Sequence, residues 1–312
     1  MNTMINKGKT SYIKRVAEDI KKHKTVYLMA VPVLLYFLIF KYGPMYGAII
    51  AFKDYNPSSG IMGSPWVGFK HFADFFSSTD FSRIVRNTLT ISIGTLIFSF
   101  PVPIIFALLL NEIKSKAFSK VTQTITYLPH FISMVIICGM IKDFTMQDGL
   151  ITQLLAKFGM PAQNMLNNKD LFVPIYIISD IWQSFGWGSI VYLAALTGVD
   201  QSLYEAASID GAGKFRQVWS ITIPAIMPTI ITMLILRVGG LVSVGHEKII
   251  LLYNPLTYEK ADIISSYVYR RGLNDFAWSF STAVGLTQSL VNCLLLLLTN
   301  YMSNKLAETS LW

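Results

Sequence analysis

The chain reads as an all-α integral membrane protein with six transmembrane helices, and three observations carry that reading. Of its 312 residues, 53% are hydrophobic and only 14% charged, against about a quarter charged in a soluble domain. The apolar residues gather into six runs, each close to the ~20 residues a helix needs to cross a bilayer. The segments between the runs are polar and carry Gly and Pro, and none has the composition of a soluble domain. Helices are the expected spanning form because they satisfy every backbone group internally.

The first run extends from about Val26 to Phe52, with Pro32 near its start and Gly43-Pro44 placed to kink it. Residues 53–86 form a polar loop with a Trp66-Val-Gly68-Phe69 cluster. The second run, Leu89 to Leu110, contains Pro101 and Pro103. The third, Val121 to Ile141, follows a basic turn at Lys114, Lys116 and Lys120. A polar excursion over 142–170 holds a helix-like stretch from Leu150 to Phe158. The fourth run is Leu171 to Leu196, the fifth Ile221 to Val244, and the sixth Trp278 to Tyr301, with a further excursion over 246–276.

The expected organisation is a basic tail over 1–25, a membrane domain over 26–303 and a C-terminal tail over 304–312. The net charge is +8, but its placement argues for topology, not nucleic acid. Lys7, Lys9, Lys14, Arg15, Lys21, Lys22 and Lys24 precede the first run, which puts that tail in the cytoplasm. Six spans return the C-terminus to the same side. The loops at 111–120 and 199–220 then face in, and the three excursions face out. Cys138 and Cys293 lie inside apolar runs and read as small buried hydrophobes, not a disulfide or metal site. There is no phosphate-cradling Gly-x-x-x-x-Gly-Lys-Ser/Thr, no His-Glu-x-x-His and no Gly-x-Ser-x-Gly. Any ATP chemistry therefore belongs to another chain.

One mixed polar segment, from Glu205 to Pro224, stands between the fourth and fifth runs. Tyr204 to Ala207 begins a short helix of good helix formers, and Gly211 and Gly213 permit a sharp bend. Pro224 is expected in the first turn of the next helix, where its missing N–H is harmless. Glu205, Ala206, Ala207, Gly211, Ile221 and Pro224 keep the spacing Glu-Ala-Ala, three residues, Gly, nine residues, Ile-x-Leu-Pro. This resembles the coupling motif of binding-protein-dependent ABC importer permeases. Ile223 stands where Leu is usual, a swap of equal volume. With Asp210, Ala212 and Gly213 added, the segment is similar to the carbohydrate-importer, maltose-type branch. The Trp66 cluster before the second span is similar to a segment of carbohydrate-importer permeases, its alternative being an aromatic belt at the interface. Leu251-Leu-Tyr-Asn-Pro255 and the ending Ser310-Leu-Trp312 resemble the branch that serves complex oligo- and polysaccharides.

The resemblance implies a type I permease fold in a bacterial cytoplasmic membrane, with the loop over 199–224 meeting a cytosolic ATPase. It implies four partners: a second, different permease, an ATPase dimer that holds ATP and magnesium, a solute-binding protein outside, and an oligosaccharide cargo. No cofactor is expected in this chain.

Ionisable residues inside spans are costly and point to function by default. Asp180 lies in the fourth span, followed by Trp182, Gln183 and Trp187. Arg237 lies in the fifth, just before Gly239-Gly240, and Gln288 and Asn292 share a face of the sixth at i, i+4 spacing. Aromatic faces and guanidinium or amide donors are groups that hold sugars, and by resemblance Gln183, Trp187, Arg237 and Gly240 stand at cavity level. Asp180 and Arg237 either pair within the bundle or leave Arg237 free for a cargo carboxylate. Trp182 and Trp187 have the alternative of anchoring at the interface. His246 and Glu247 read as rim residues, His23 and His71 as solvated, and His130 as hydrogen-bonded in the bundle. Two rival classes are an ion-coupled secondary transporter, which would need inverted repeats that are not visible here, and a membrane enzyme, which would need a nucleophile–base pair or metal cluster.

Overall fold

A computed structural model describes residues 12–307 and Ser310. Lys7 and Lys9 of the basic tail, and Leu311-Trp312 of the C-terminal ending, lie outside the described residues. Ten helices position the functional sites: α1 (Lys24–Phe52), α2 (Phe81–Asn111), α3 (Lys116–Phe131), α4 (Met134–Thr145), α5 (Lys169–Thr197), α6 (Gln201–Ile209), α7 (Lys214–Gly239), α8 (His246–Leu252), α9 (Ile264–Tyr269) and α10 (Trp278–Ala307). The described residues contain no strand beyond one isolated bridge between Lys53 and Trp66.

α1, α2, α7 and α10 are long and apolar enough to cross a membrane, and the pair from Lys116 to Ala156 makes a fifth candidate. α5 has 29 residues, about 44 Å at 1.5 Å per residue, which is length enough; its polar face lowers its hydropathy. Adding α5, the fourth run of the sequence, to these five candidates is consistent with the six spans expected.

The third run differs from the single straight helix expected. α3 and the stretch Met134–Ala156 that α4 begins meet at 98°. Pro129 lies in a 3₁₀ turn, Ile132 is extended, and Ser133 Oγ accepts from the Ile136 N–H at 3.4 Å to start α4. A proline and a new N-cap four residues apart force the break. The second span also starts earlier than expected, at Phe81, because Arg83 engages Asp80 and Asp262 at its N-terminal end.

Pro224 lies in the first turn of the α-helical stretch Ile223–Gly239, as expected; what was not expected is that this stretch continues from Lys214 as the single rod α7. The preceding turn, Val218–Thr222, is a π-helix in which the Ile223 N–H donates to the Val218 carbonyl. Widening the turn accommodates a ring that cannot donate and that crowds the carbonyl one turn back. The same device, Leu38–Tyr42, precedes Pro44 in α1.

Close approach replaces bulk packing where helices cross. A Cβ on Gly186 of α5 would stand 2.1 Å from the Thr126 carbonyl oxygen of α3, and one on Gly239 would stand 2.5 Å from Leu296 Cδ1. Small residues let membrane helices approach backbone to backbone. Three apolar clusters hold the bundle: Ile91, Ile137, Phe172 and Ile249 at one end; Ile84, Tyr267 and Val284 beside them; and Ala107, Tyr192, Leu196 and Ile226 at the end nearer α6. The most apolar window of α1 has no buried residue.

Between α8 and α9, Asp262 is fully buried. It takes two bonds from Arg270, at 2.6 and 3.1 Å, and one from Ser266 at 2.8 Å, while Asn87 donates to its carbonyl. Lys169 and Asp170, at the start of α5, pair with Glu259 and Lys260. Two smaller expectations need correction. His71 is buried, its Nε2 3.0 Å from the Lys53 carbonyl oxygen, because the 53–69 loop folds over it. Cys293 is exposed on α10, whereas Cys138 is buried.

Candidate functional site

Two features lie at opposite ends of α5 and α7: a cavity beside Asp180 and Arg237 and a bent segment over 200–213. The bent segment is built locally. Asp200 Oδ1 accepts from the Ser202 N–H at 2.9 Å and caps α6; that amide holds the Asp200 carboxyl below its usual range. α6 ends in a Schellman motif, with the Ala212 N–H bonded to the Ala207 carbonyl at 2.8 Å and Gly211 N–H to Ser208. The motif needs a left-handed residue, and Gly211 supplies it at φ +76°. Gly213 is extended, at φ −66°, so its expected role in the bend falls to Gly211 alone. Glu205, Ala206 and Asp210 are exposed, Ala207 and Ala212 half-buried. Ile209 and Phe215 are 87% and 83% exposed beside them, an apolar pair on a polar surface that a protein partner would cover.

The cavity has a volume of about 540 Å³ and is lined by Asp180 and Tyr176 of α5, Arg237 of α7, Gly240, and His246, Glu247 and Lys248 of α8. Glycine at 239 and 240 ends α7 and lets the chain turn toward α8. Asp180 Oδ2 and Arg237 Nη2 are 4.0 Å apart, and half of the Arg237 side chain is exposed. Both alternatives from the sequence therefore hold in part: the two charges attract, and the guanidinium still faces open space with donors to spare.

A model of the family "binding-protein-dependent transport system inner membrane component" matches residues 99–308. The chain belongs to that family. It is a multi-pass membrane protein, as the apolar helices require. Protein LplB of Bacillus subtilis (strain 168) is 46% identical over 94% of this chain and 92% of its own length. The polygalacturonan/rhamnogalacturonan transport system permease protein YteP of the same strain is 44% identical over 96% of this chain and 94% of its own. Among solved structures, a bacterial ABC transporter involved in import of the acidic polysaccharide alginate is similar, with 42% identity, a TM-score of 0.86, and coverage of 94% of this chain and 99% of that one. A second structure of an alginate ABC transporter, in complex with a pentasaccharide-bound periplasmic protein, matches equally well. The type I permease fold is thereby assigned.

Within this permease the expected site residues divide into three groups. Asp180, Arg237 and Gly240 line the cavity. Gln183 and Trp187 fall on the same face of α5 as Tyr176 and Asp180, at i, i+3, i+7 spacing, but below the cavity. Trp187 is stacked on His130, centroids 4.8 Å apart and rings 3° from parallel. His130 is thus an exposed stacking partner and not the hydrogen-bonded bundle residue expected. Trp182 is exposed on another face of α5. Gln288 and Asn292 are committed elsewhere: Asn292 Oδ1 accepts from the Val242 N–H at 3.0 Å, and Gln288 Nε2 donates to the Val242 carbonyl at 2.8 Å. They cap the broken end of α7.

Lys248 is a cavity residue that sequence reasoning passed over. It is 2% exposed, its Nζ 4.9 Å from the Tyr176 ring centroid. Its place beyond the fifth apolar run made it look like loop; the signal was the tight cluster His246-Glu247-Lys248.

Proposed function

We propose that this permease is one transmembrane subunit of an ATP-driven importer that moves acidic oligosaccharides into the cytoplasm by alternating access. The observation that carries the cargo reading is Arg237, a permanent cation open to a cavity and only loosely held by Asp180. A planar guanidinium binds a carboxylate through two parallel bonds, which suits uronate units. The names of the pectin-fragment and alginate relatives support the same class.

In this reading α6 and the exposed Ile209 and Phe215 dock into a cleft of the ATPase dimer, where ATP and magnesium are held. A second permease covers the open face of α5 and α7. A solute-binding protein delivers cargo at the outer end. Closure of the ATPases displaces α6, and the cavity wall formed by Asp180, Arg237 and Gly240 rearranges. Both termini lie in the cytoplasm.

The docking role is tested with Gly211→Pro and Glu205→Lys in the reconstituted complex. Proline cannot adopt φ +76°, and the lysine reverses a charge on the exposed face of α6. Sugar-stimulated ATP hydrolysis should be lost in both variants while the subunits still assemble. Undiminished stimulation in both would remove α6 as the ATPase contact.

A further inference from the structure

Between 201 and 224 the buried side chains are Gln217 and Thr222, and both are polar. The join between α6 and α7 has no fully buried apolar side chain of its own: Tyr204 and Ile221 pack half-buried against Leu196, Val199 and Ile226, and the direct ties between the two helices are hydrogen bonds. Gln217 Nε2 donates to Ser208 Oγ at 2.9 Å and to the Ala212 carbonyl at 3.0 Å. Both protons of one amide are thus used, one on the last turn of α6 and one on the residue after its Gly211 bend. A second tie runs from Tyr204 to Thr222, hydroxyl to hydroxyl at 2.9 Å, and Thr222 Oγ1 returns to the Gln217 carbonyl at 3.4 Å. Lys214 Nζ and Glu112 pair at 3.1 Å, but both are exposed, and such pairs contribute little.

Gln217 also sits at the base of a rod. α7 runs unbroken for 26 residues, about 39 Å, despite Pro224 and Pro228. Its far end carries Arg237 and leads into Gly240, both in the cavity wall. A side chain that fixes α6 to the near end fixes what the far end does when α6 moves.

We propose that Gln217 is a positioning residue that makes α6 and α7 one rigid lever, so that displacement of α6 reaches the cavity wall at Arg237. Without the amide, α6 swings about Gly211 and its motion is dissipated in the bend. The proposal rests on the import reading above and adds the residue through which the motion is passed.

The test uses Gln217→Met, which keeps chain length and removes both donors, and Ser208→Ala, which removes one acceptor from an exposed position and leaves folding intact. Amide hydrogen exchange on the full chain in lipid nanodiscs is the first measurement. In Gln217→Met the amides of 204–212 should exchange at least tenfold faster, with those of 225–237 unchanged; Ser208→Ala should fall between. In the complex with its partner permease and ATPases, hydrolysis should stay within twofold of native, while sugar moved per ATP falls at least fivefold. Unchanged exchange in 204–212 overturns the proposal, as does a loss in which hydrolysis and uptake decline together at constant ratio. A native complex without sugar-dependent hydrolysis would count against the import reading instead, and the exchange result would still decide whether Gln217 is the tie.

Discussion

Asp180 and Arg237 face each other with Oδ2 and Nη2 4.0 Å apart, near enough to attract and too far for a hydrogen bond. An arginine held that loosely keeps its fork available. Arg237→Gln should lower uptake of a uronate oligosaccharide ten- to a hundredfold, the loss of roughly 1.5–3 kcal/mol from a charged hydrogen-bonded contact. A neutral oligosaccharide of matched length should change less than threefold. Asp180→Asn frees the guanidinium and should tighten binding of the acidic cargo. Equal losses for both cargoes in Arg237→Gln, read by uptake or sugar-stimulated hydrolysis, would remove the case for a carboxylate-reading arginine.

Gly186 lets α5 cross α3 backbone to backbone. A Cβ 2.1 Å from the Thr126 carbonyl oxygen cannot be relieved by a rotamer change, because the neighbour is main chain. Gly186→Ala should destabilise the bundle by about 3 kcal/mol and lower the melting temperature of the purified chain. Gly213→Ala, with nothing within 4 Å of its Cβ and φ −66°, is the control and should melt as the native chain does.

The buried Asp262 joins α2, α9 and the segment between α8 and α9 through Arg270, Ser266 and the Asn87 bond to its backbone. Asp262→Ala leaves a half-buried guanidinium without its anion, which should cost about 3–5 kcal/mol. The corresponding measurement is thermal unfolding followed by hydrogen exchange over 262–271. Full retention of protection there would show that the arginine finds another anion.

The two ion pairs at the start of α5 set a pH dependence. Lys260 holds the Asp170 carboxyl below its ordinary 3.8, and Lys169 holds that of Glu259 below 4.5. A depressed carboxylate stabilises the folded state above its ordinary pKa and loses that contribution as pH falls through the folded value. Glu259 in turn raises Lys169 above 10.5, so that contribution is present below 10.5 and lost as pH rises through the raised value. Melting temperature should therefore be flat from about pH 5 to 10 for these pairs and fall on either side. Glu259→Gln with Asp170→Asn should weaken the acid-side fall. Because all four groups are exposed, the effect is small and shrinks with salt.

Much of this was legible in the sequence. Composition and six apolar runs led to an all-helical membrane bundle, and the spacing from Glu205 to Pro224 marked the bent segment. Asp180 and Arg237 stood out because charge inside an apolar run is costly. What was not legible depended on neighbours distant in the chain. His71 is buried by a loop that folds back from Lys53, and Gln288 and Asn292 look like free amides until the broken end of α7 is brought beside them. The first-turn place of Pro224 was legible, but the π-turn before it, which leaves no composition signal and joins 214–239 into one rod, was not. Lys248 was hidden by lying after the apolar run instead of within it.

The most direct test of the account is accumulation of labelled oligouronate by proteoliposomes holding this permease with its partner permease, ATPases and solute-binding protein. The account predicts uptake against a gradient that needs ATP and the binding protein, persists without any proton or sodium gradient, and is competed by acidic but weakly by neutral oligosaccharides. Uptake driven by an ion gradient in the absence of ATP would contradict it and favour a secondary transporter.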